Sequence, residues 1–248
     1  MERSARYPLL DVLRGFSLLS MIAYHATYDL VVLYGVRLSW YFDTPGYIWQ
    51  QSICWLFILL SGISWHFSHN PLKNGLVISM CGLLITLATA VFMPSQLVIM
   101  GILSFIGAAI LLMIPVSRLT KNVNPRFAAI VSLVLFFLFR NVGRISLGFE
   151  RFILTPIPQW FYTFPGGFIL GFPSANFYSS DYFALIPWFF LFAFGHFLWR
   201  CIEYNSAVQH ALCFDLPPLR ILGRKSLIIY LLHQPLIMLV LSGVMRCL

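Results

Sequence analysis

Long apolar runs alternate with short polar segments along the whole chain. Several of these runs reach about 18–20 residues, the helical length that crosses the hydrocarbon core of a bilayer, and the fifth of the seven is shorter. Their apolar residues are continuous rather than alternating, which is typical of transmembrane helices and not of β-barrel strands. The pattern therefore predicts an all-α, polytopic transmembrane bundle of at least seven helices, forming a single domain over 1–248. The predicted helices cover about 9–34, 46–68, 75–93, 96–115, 127–140, 183–200 and 224–245.

The segment 141–182 interrupts this pattern. It contains PQWFYTFPGGFILGFP, from Pro158 to Pro173, which is rich in aromatic residues, proline and glycine. Irregular backbone is tolerated at membrane depth only where protein or a cavity satisfies its polar groups. We therefore expect an interfacial element here, or a re-entrant or broken helix that forms one wall of a cavity.

Composition agrees with a chain embedded in lipid. Hydrophobic residues make up 60% of the 248 positions and charged residues only 10%, whereas a soluble domain carries about 25% charged residues. Most of the lysines and arginines behind the net charge of +8 lie in short loops. There they act as topology signals and contact lipid headgroups, and their distribution predicts a cytoplasmic N-terminus. No nucleic-acid partner is expected.

Cysteine and metal chemistry are not indicated by the sequence. The five cysteines are scattered and contain no CxxC pair, so we expect small apolar residues or free thiols rather than a disulfide framework. Outside the first apolar run, the histidine and carboxylate residues have no convincing ligand spacing, and no metal site is expected.

Four ionisable residues occupy the first apolar run, LLDVLRGFSLLSMIAYHATYDLVVLYG. On a helix with about 100° per residue, Arg14 and His25 lie about 20° apart, and Asp11 and Asp29 coincide. All four therefore share one stripe, which must face the bundle interior or a wet cavity because charge facing lipid costs several kcal/mol. A purely structural alternative pairs Asp11 with Arg14 and satisfies a core histidine with Asp29.

The depths along this stripe suggest separate roles. Arg14 lies at the cytoplasmic end, where it would attract an anion, and His25 lies about 16 Å further along the axis, past the middle of the membrane. His25 is thus the acid/base candidate. Asp29 follows one turn later, where a carboxylate would fix the histidine tautomer and raise its basicity.

The last apolar run opens with a basic GRKS motif. Arg224, Lys225 and Ser226 stand at the start of a predicted helix, where unpaired amides and the helix dipole favour anions. They form either an anion clamp that acts with the arginine of the first helix, or a simple cytoplasmic anchor. Further along the same stripe, Tyr230 and His233 would line the interior. His233 is a second acid/base candidate, while Tyr230 is better explained by interhelical hydrogen bonding.

Several stretches together resemble a known family. LDVLRG, with His25 eleven residues after Arg14, resembles the first helix of transmembrane acyltransferases, and in particular the bacterial branch related to the heparan-α-glucosaminide N-acetyltransferase catalytic domain. In the lysosomal enzyme of that family the catalytic histidine lies further along, where this chain has LSWYFDTPG and no histidine. Supporting stretches are MIAYHATYDL, FILLSGISWHFS, GILSFIGAAILL, SSDYFALIPW and LGRKSLIIYLLHQPL.

The resemblance implies an enzyme of the bacterial inner membrane. It implies acetyl-CoA or another acyl-CoA as donor, entering from the cytosol. From their position at the cytoplasmic helix ends, we expect Arg14, Arg224, Lys225 and Ser226 to hold this donor. The acyl group would pass to an amine or hydroxyl of a saccharide or cell-envelope acceptor. His25, with Asp29 and His233, would serve as base or transient acyl carrier.

Two other classes of function remain open at the level of sequence. A proton-coupled small-molecule transporter would use the same histidine and aspartate stripe as a proton relay, although the inverted repeats typical of such proteins are not evident. A non-catalytic partner of a membrane complex would turn the stripe toward another chain. The sequence also leaves the oligomeric state open, and a homodimer is one alternative.

Overall fold

The computed structural model describes residues 7–246, and ten α-helices lie within this range. The predicted all-α class built on long helices is confirmed. The helices are α1 (Pro8–Val32), α2 (Thr44–Ser64), α3 (Pro71–Phe92), α4 (Ile102–Leu119), α5 (Pro125–Leu138), α6 (Gly167–Leu170), α7 (Leu185–Ile202), α8 (Ser206–Leu212), α9 (Pro217–Arg224) and α10 (Ser226–Arg246).

Six helical segments are long and apolar enough to cross a membrane, judged by length and composition. The protein is therefore an integral membrane protein. The helix α1 is not among the six because its ionisable stripe lowers the mean hydropathy, yet its 25 residues would extend about 37 Å. The six segments are Thr44–Phe67, Pro71–Phe92, Ile102–Leu119, Pro125–Arg144, Leu185–Ile202 and Ser226–Arg246.

The chain forms two compact units. The first unit comprises Met1–Leu60 and Tyr204–Leu248, and the second comprises Ser61–Glu203. The organisation of 1–248 as one domain stays a prediction. Four of the five cysteines are free thiols (Cys54, Cys81, Cys201 and Cys213), and Cys247 lies outside the described residues.

In the first unit, two glycines bring α1 and α9 into direct backbone contact. A Cβ atom on Gly15 would lie 2.0 Å from the carbonyl oxygen of Leu219, and one on Gly223 would lie 1.8 Å from that of Asp11. No larger residue fits at either position without moving the helices apart. This close approach brings the N-terminal turns of α1 beside the end of α9.

In the second unit, α3 packs on α4 and α5 packs on α7. Small residues again line a helix contact, since a Cβ atom on Gly82 of α3 would lie 2.4 Å from the hydroxyl oxygen of Ser104 on α4. The largest fully buried side chains of this unit are aromatic. They are Phe105, Phe136 and Phe192.

The fourth predicted helix begins at Ile102 rather than at about residue 96. The residues before it pair with a distant loop instead of continuing the helix. Ser180 donates its amide to the carbonyl of Leu97 (2.9 Å), and Phe183 donates its amide to that of Met100 (2.8 Å). Backbone groups engaged in this way are not available for helical hydrogen bonds.

The segment 141–182 contains a β-hairpin and a short helix. The strands β1 (Ser146–Phe149) and β2 (Phe152–Pro156) pair in antiparallel fashion, with an irregularity between Leu147 and Gly148. The only α-helix assigned between 141 and 182 is α6, of four residues. The interfacial interpretation of this segment therefore agrees better with the structure than a broken transmembrane helix does.

Candidate active site

The ionisable stripe of α1 faces protein rather than lipid. Asp11 and Asp29 expose only 2% and 1% of their surface, although each stands only three residues from an end of α1. Arg14 is largely buried as well. The contacts of this stripe come from the first compact unit, and chiefly from α9 and α10.

At the end of α1 near its N-terminus, one carboxylate is shared by two guanidinium groups. Arg14 donates from Nη1 to Oδ1 of Asp11 at 2.9 Å, and Arg224 donates from Nε to Oδ2 at 3.3 Å. We call Asp11, Arg14 and Arg224 the arginine cluster. Charge-assisted hydrogen bonds of this kind are stronger than neutral ones. The cluster keeps a net charge of +1, and Arg224 remains substantially exposed.

The close packing of α1 on α9 positions the arginine cluster. Gly223 lies against the backbone of Asp11, so the next residue, Arg224, reaches the Asp11 carboxylate. Lys225 is exposed and separates α9 from α10, and Ser226 is the first residue of α10. The predicted helix at 224–245 is α10, which begins two residues later, and the GRKS motif forms the junction between α9 and α10.

Two histidines meet deeper along α1, where α10 lies beside it. The ring centroids of His25 and His233 are 5.0 Å apart, with an angle of 60° between the ring planes. We call these two residues the histidine pair. The sequence analysis selected both as acid/base candidates, and the structure brings them together.

The hydrogen bonding of His233 defines its tautomer. Its Nδ1 lies 2.5 Å from the carbonyl oxygen of Tyr230, and because a carbonyl can only accept, Nδ1 must carry the proton. In the neutral ring, Nε2 then presents a lone pair. This atom is buried and has no hydrogen-bond partner within residues 7–246, so it is a chemically available acceptor.

Asp29 binds Gln234 rather than His25. The Gln234 Nε2 group donates to both oxygens of the Asp29 carboxylate, each at 2.9 Å. In the part of the chain that the structure describes, His25 makes no hydrogen bond to Asp29, which differs from the expected orienting contact. The reason is that α10 places an amide within reach of the carboxylate. Asp29 thereby holds the side chain of Gln234, the residue that follows His233, in position.

An aromatic cluster that the sequence analysis did not identify adjoins His25. Tyr24 lies 5.2 Å from both Tyr41 and Trp49, measured between ring centroids, and 6.0 Å from the ring of His25. Trp49 is fixed by a hydrogen bond from its Nε1 to the hydroxyl of Ser20 at 2.8 Å. Burial raises the pKa of the Tyr41 phenol, so Tyr41 stays neutral at physiological pH. The sequence signal was the aromatic content of residues 40–49.

Asp181 stands outside these centres, in the second unit. The amide of Ile102 donates to its Oδ2 at 3.4 Å, so the carboxylate interacts with the N-terminus of α4, where a negative charge is favourable. Burial nevertheless raises the pKa of Asp181 to about 6, against a smaller lowering effect of the Ile102 hydrogen bond. These contacts give Asp181 a role in joining two loops of its own unit.

A second pair of histidines also lies in that unit. The rings of His66 and His196 stack with centroids 4.1 Å apart, and Nε2 of His66 donates to the carbonyl of His196 at 3.0 Å. They are separated by 130 residues in sequence, and no spacing argument links them. Within residues 7–246, no three histidine, cysteine, aspartate or glutamate side chains are grouped to hold a metal ion.

Comparison with known proteins gives one informative result. The family described as "Heparan-alpha-glucosaminide N-acetyltransferase, catalytic" matches residues 6–235. That range takes in α1, the junction at Arg224 and the histidine pair. No curated protein and no solved structure matches the chain. Since the match covers most of the 248 residues, the chain belongs to the heparan-α-glucosaminide N-acetyltransferase catalytic-domain family.

Proposed function

We propose that the protein is an acyl-CoA-dependent acetyltransferase of the bacterial inner membrane, with its N-terminus in the cytoplasm. Family membership supports a membrane acetyltransferase. The observation that carries the more specific proposal is the histidine pair, in which a buried Nε2 lone pair lies beside a second imidazole. Acyl transfer to an amine or hydroxyl requires such a proton acceptor.

The donor would bind at the arginine cluster. The phosphate groups of CoA are anions, and Arg14 and Arg224 offer guanidinium groups that Asp11 holds in fixed positions. Lys225 and Ser226 follow directly, at the start of α10, where helix amides and the dipole favour anions. The thioester would extend along α1 toward His25.

The histidine pair would act as the general base. His233 Nε2 takes the proton from the acceptor N–H or O–H as the freed lone pair attacks the thioester carbonyl carbon. The C–S bond then breaks, the acetyl group stays on the acceptor, and the CoA thiolate receives the proton from the histidine. The neighbouring imidazole of His25 stays neutral and contacts the reacting groups.

Asp29 serves this reaction as a positioning residue. It touches neither histidine ring through a hydrogen bond in the described part of the chain, but it holds Gln234, the neighbour of His233. A fixed Gln234 keeps α10 in register with α1. The acceptor is a saccharide or envelope component with a nucleophilic amine or hydroxyl. Glucosamine is the first compound to test, because it is the free amino sugar of the glucosaminide in the family description.

The experiment is an acetyl-transfer assay with purified protein, labelled acetyl-CoA and glucosamine. We expect His25→Ala to reduce the transfer rate at least a hundredfold, while His210→Ala, an exposed histidine of the same unit, leaves it unchanged. Undiminished transfer by His25→Ala would contradict the role of the pair. Acetyl-CoA should also raise the melting temperature of the wild type. A wild type that shows neither transfer nor stabilisation by acetyl-CoA would contradict the enzyme and favour a transporter.

A further inference from the structure

The β-hairpin of the second unit exposes an unusually apolar strand. All five residues of β2 are exposed, and Phe152, Ile153 and Leu154 present 79%, 67% and 70% of their surfaces. Two aromatic residues that follow, Trp160 and Phe164, are each 66% exposed. Contiguous apolar patches on a protein surface generally mark a contact with another molecule or with a membrane.

Both faces of β2 are apolar, which indicates a surrounding medium rather than a docked partner. Successive side chains of a strand point to opposite faces, so Phe152 and Ile153 lie on opposite faces, while the exposed Leu154 falls at the irregularity in the pairing. A protein partner packed on one face would leave the other in water. Lipid covers both faces at once.

The position of the hairpin in the chain fixes its depth. It follows the apolar segment Pro125–Arg144 directly, so it begins where a membrane crossing ends. In a two-stranded sheet each strand keeps one edge without a ladder partner, and such edges cannot lie in the hydrocarbon core. The boundary between headgroups and acyl chains satisfies the apolar side chains and the polar edge together, and it is where tryptophan is enriched.

The charges around the hairpin are complementary to phosphate. Arg144 precedes β1, its side chain is 63% exposed, and it pairs with Glu150 at 3.3 Å. Arg151 is exposed at the turn between the strands. With Arg140, which also pairs with Glu150, these four residues carry a net charge of +2, from three arginines and one glutamate. Basic residues near a membrane surface attract anionic lipids.

We infer that the hairpin β1–β2 is an interfacial anchor. It lies in the boundary between headgroups and acyl chains of one leaflet, with Phe152, Ile153 and Leu154 among the upper acyl segments, and with Arg144 and Arg151 on anionic phospholipid headgroups. Trp160 follows β2 by four residues and is 66% exposed, so we assign it to the same boundary, where tryptophan is enriched. This inference is independent of the proposed catalytic activity.

Fluorescence quenching by brominated lipids in nanodiscs tests the depth. The full chain is reconstituted in phosphatidylcholine and phosphatidylglycerol, and the Trp160 signal is the difference between wild type and Trp160→Phe. We expect lipids brominated near the headgroup to quench this signal at least twofold more than lipids brominated near the chain end. Trp188→Phe supplies the matched control, because Trp188 is buried in the protein and its signal should be less affected.

Lipid selectivity tests the arginines. The double variant Arg144→Gln, Arg151→Gln should retain less phosphatidylglycerol than the wild type through detergent purification, and Arg37→Gln, an exposed arginine of the first unit, should not. A Trp160 signal that is quenched by aqueous iodide and not by brominated lipid would overturn the inference. So would a Trp160 signal insensitive to both quenchers in a particle of doubled protein mass, which would indicate that a second copy covers the hairpin.

Discussion

The arginine cluster and the histidine pair are both built on α1, yet they differ in charge compensation. In the cluster, a buried carboxylate is compensated by two guanidinium groups and a net positive charge remains. In the pair, two imidazoles face each other at 5.0 Å, and no carboxylate is bonded to either ring within residues 7–246. Because a second positive charge at that distance is unfavourable, at most one ring is protonated.

This difference suits the two centres of α1 to different tasks, the arginine cluster to binding and the histidine pair to proton transfer. A cluster of two arginines and one carboxylate, with a net charge of +1, suits an anion that must be held. A pair that carries at most one positive charge, with a buried lone pair on Nε2 of His233, suits a proton that must be moved. Asp29 and Gln234 adjoin the pair and form a polar contact that keeps α10 in place without adding charge to the rings.

The largest effect is expected from the base itself. His233→Ala should lower the rate of acetyl transfer by about 10²–10⁴-fold, the usual contribution of a general base. The affinity for acetyl-CoA should not change, because the arginine cluster stays intact. Transfer kinetics and a thermal-shift titration measure the two quantities separately. A loss of acetyl-CoA affinity as large as the loss of rate would show that the two centres are not separate in function.

A smaller effect is expected from Asp29, which holds Gln234 next to the histidine pair. Asp29→Ala would leave the Gln234 amide buried without its acceptor, which should destabilise the protein by about 1–3 kcal/mol. Urea unfolding in detergent, followed by tryptophan fluorescence, measures this change. Asp43→Ala removes an exposed aspartate of the same unit and should leave the midpoint unchanged. Equal midpoints for the two variants would mean that the Asp29–Gln234 contact contributes nothing to stability.

The arginine cluster should show a binding effect of about tenfold. Arg224→Gln removes one charge-assisted donor, worth about 1.5–3 kcal/mol when fully engaged, and the exposure of Arg224 reduces this figure. Isothermal titration with CoA should show weaker binding and a reduced dependence on salt, with little change in the transfer rate at saturating donor. Arg37→Gln is the matched control. An equal effect of the two variants on CoA affinity would show that the arginine cluster does not bind CoA.

Asp181 should give the smallest effect and a contrast with Asp11. Its carboxylate is held by a backbone amide rather than by guanidinium groups, and burial raises its pKa from 3.8 to about 6. The folded state therefore binds the proton more tightly than the unfolded state, so stability should fall as pH rises from about 4 to 6 and then level off.

Asp181 as a whole residue is only half-buried, and screening by solvent should reduce the change to about 1 kcal/mol. Unfolding midpoints of wild type and Asp181→Asn across this pH range measure it, with the two curves parting between pH 4 and 6. A wild-type stability that rises over this interval relative to Asp181→Asn would have the wrong sign.

Much of the architecture could be predicted from the sequence. Long apolar runs separated by loop charges were sufficient to locate the long helices, because lipid requires helical backbone and about 20 apolar residues for each crossing. The 100° rotation per residue also located the stripe of α1. Asp11 and Asp29 are buried as that stripe requires, and His25 meets His233 of the last helix.

Contacts between distant elements could not be predicted in the same way. The partner of Asp29 depends on the register between α1 and α10, and a shift of one turn would place another residue on the carboxylate in place of Gln234. Arg224 reaches Asp11 because two glycines allow the backbones to touch. The hairpin strand β2 is too short and too uniformly apolar for its period to be recognised.

A double-mutant cycle on the histidine pair tests the central claim most directly. Acetyl transfer from acetyl-CoA is measured for the wild type, His25→Ala, His233→Ala and the double variant. If the two rings act as one base, the double variant loses no more activity than the more damaged single variant, because residues that act as a unit are not additive. Rate losses that multiply would show that the two histidines act independently, and unchanged rates in all three variants would contradict the account.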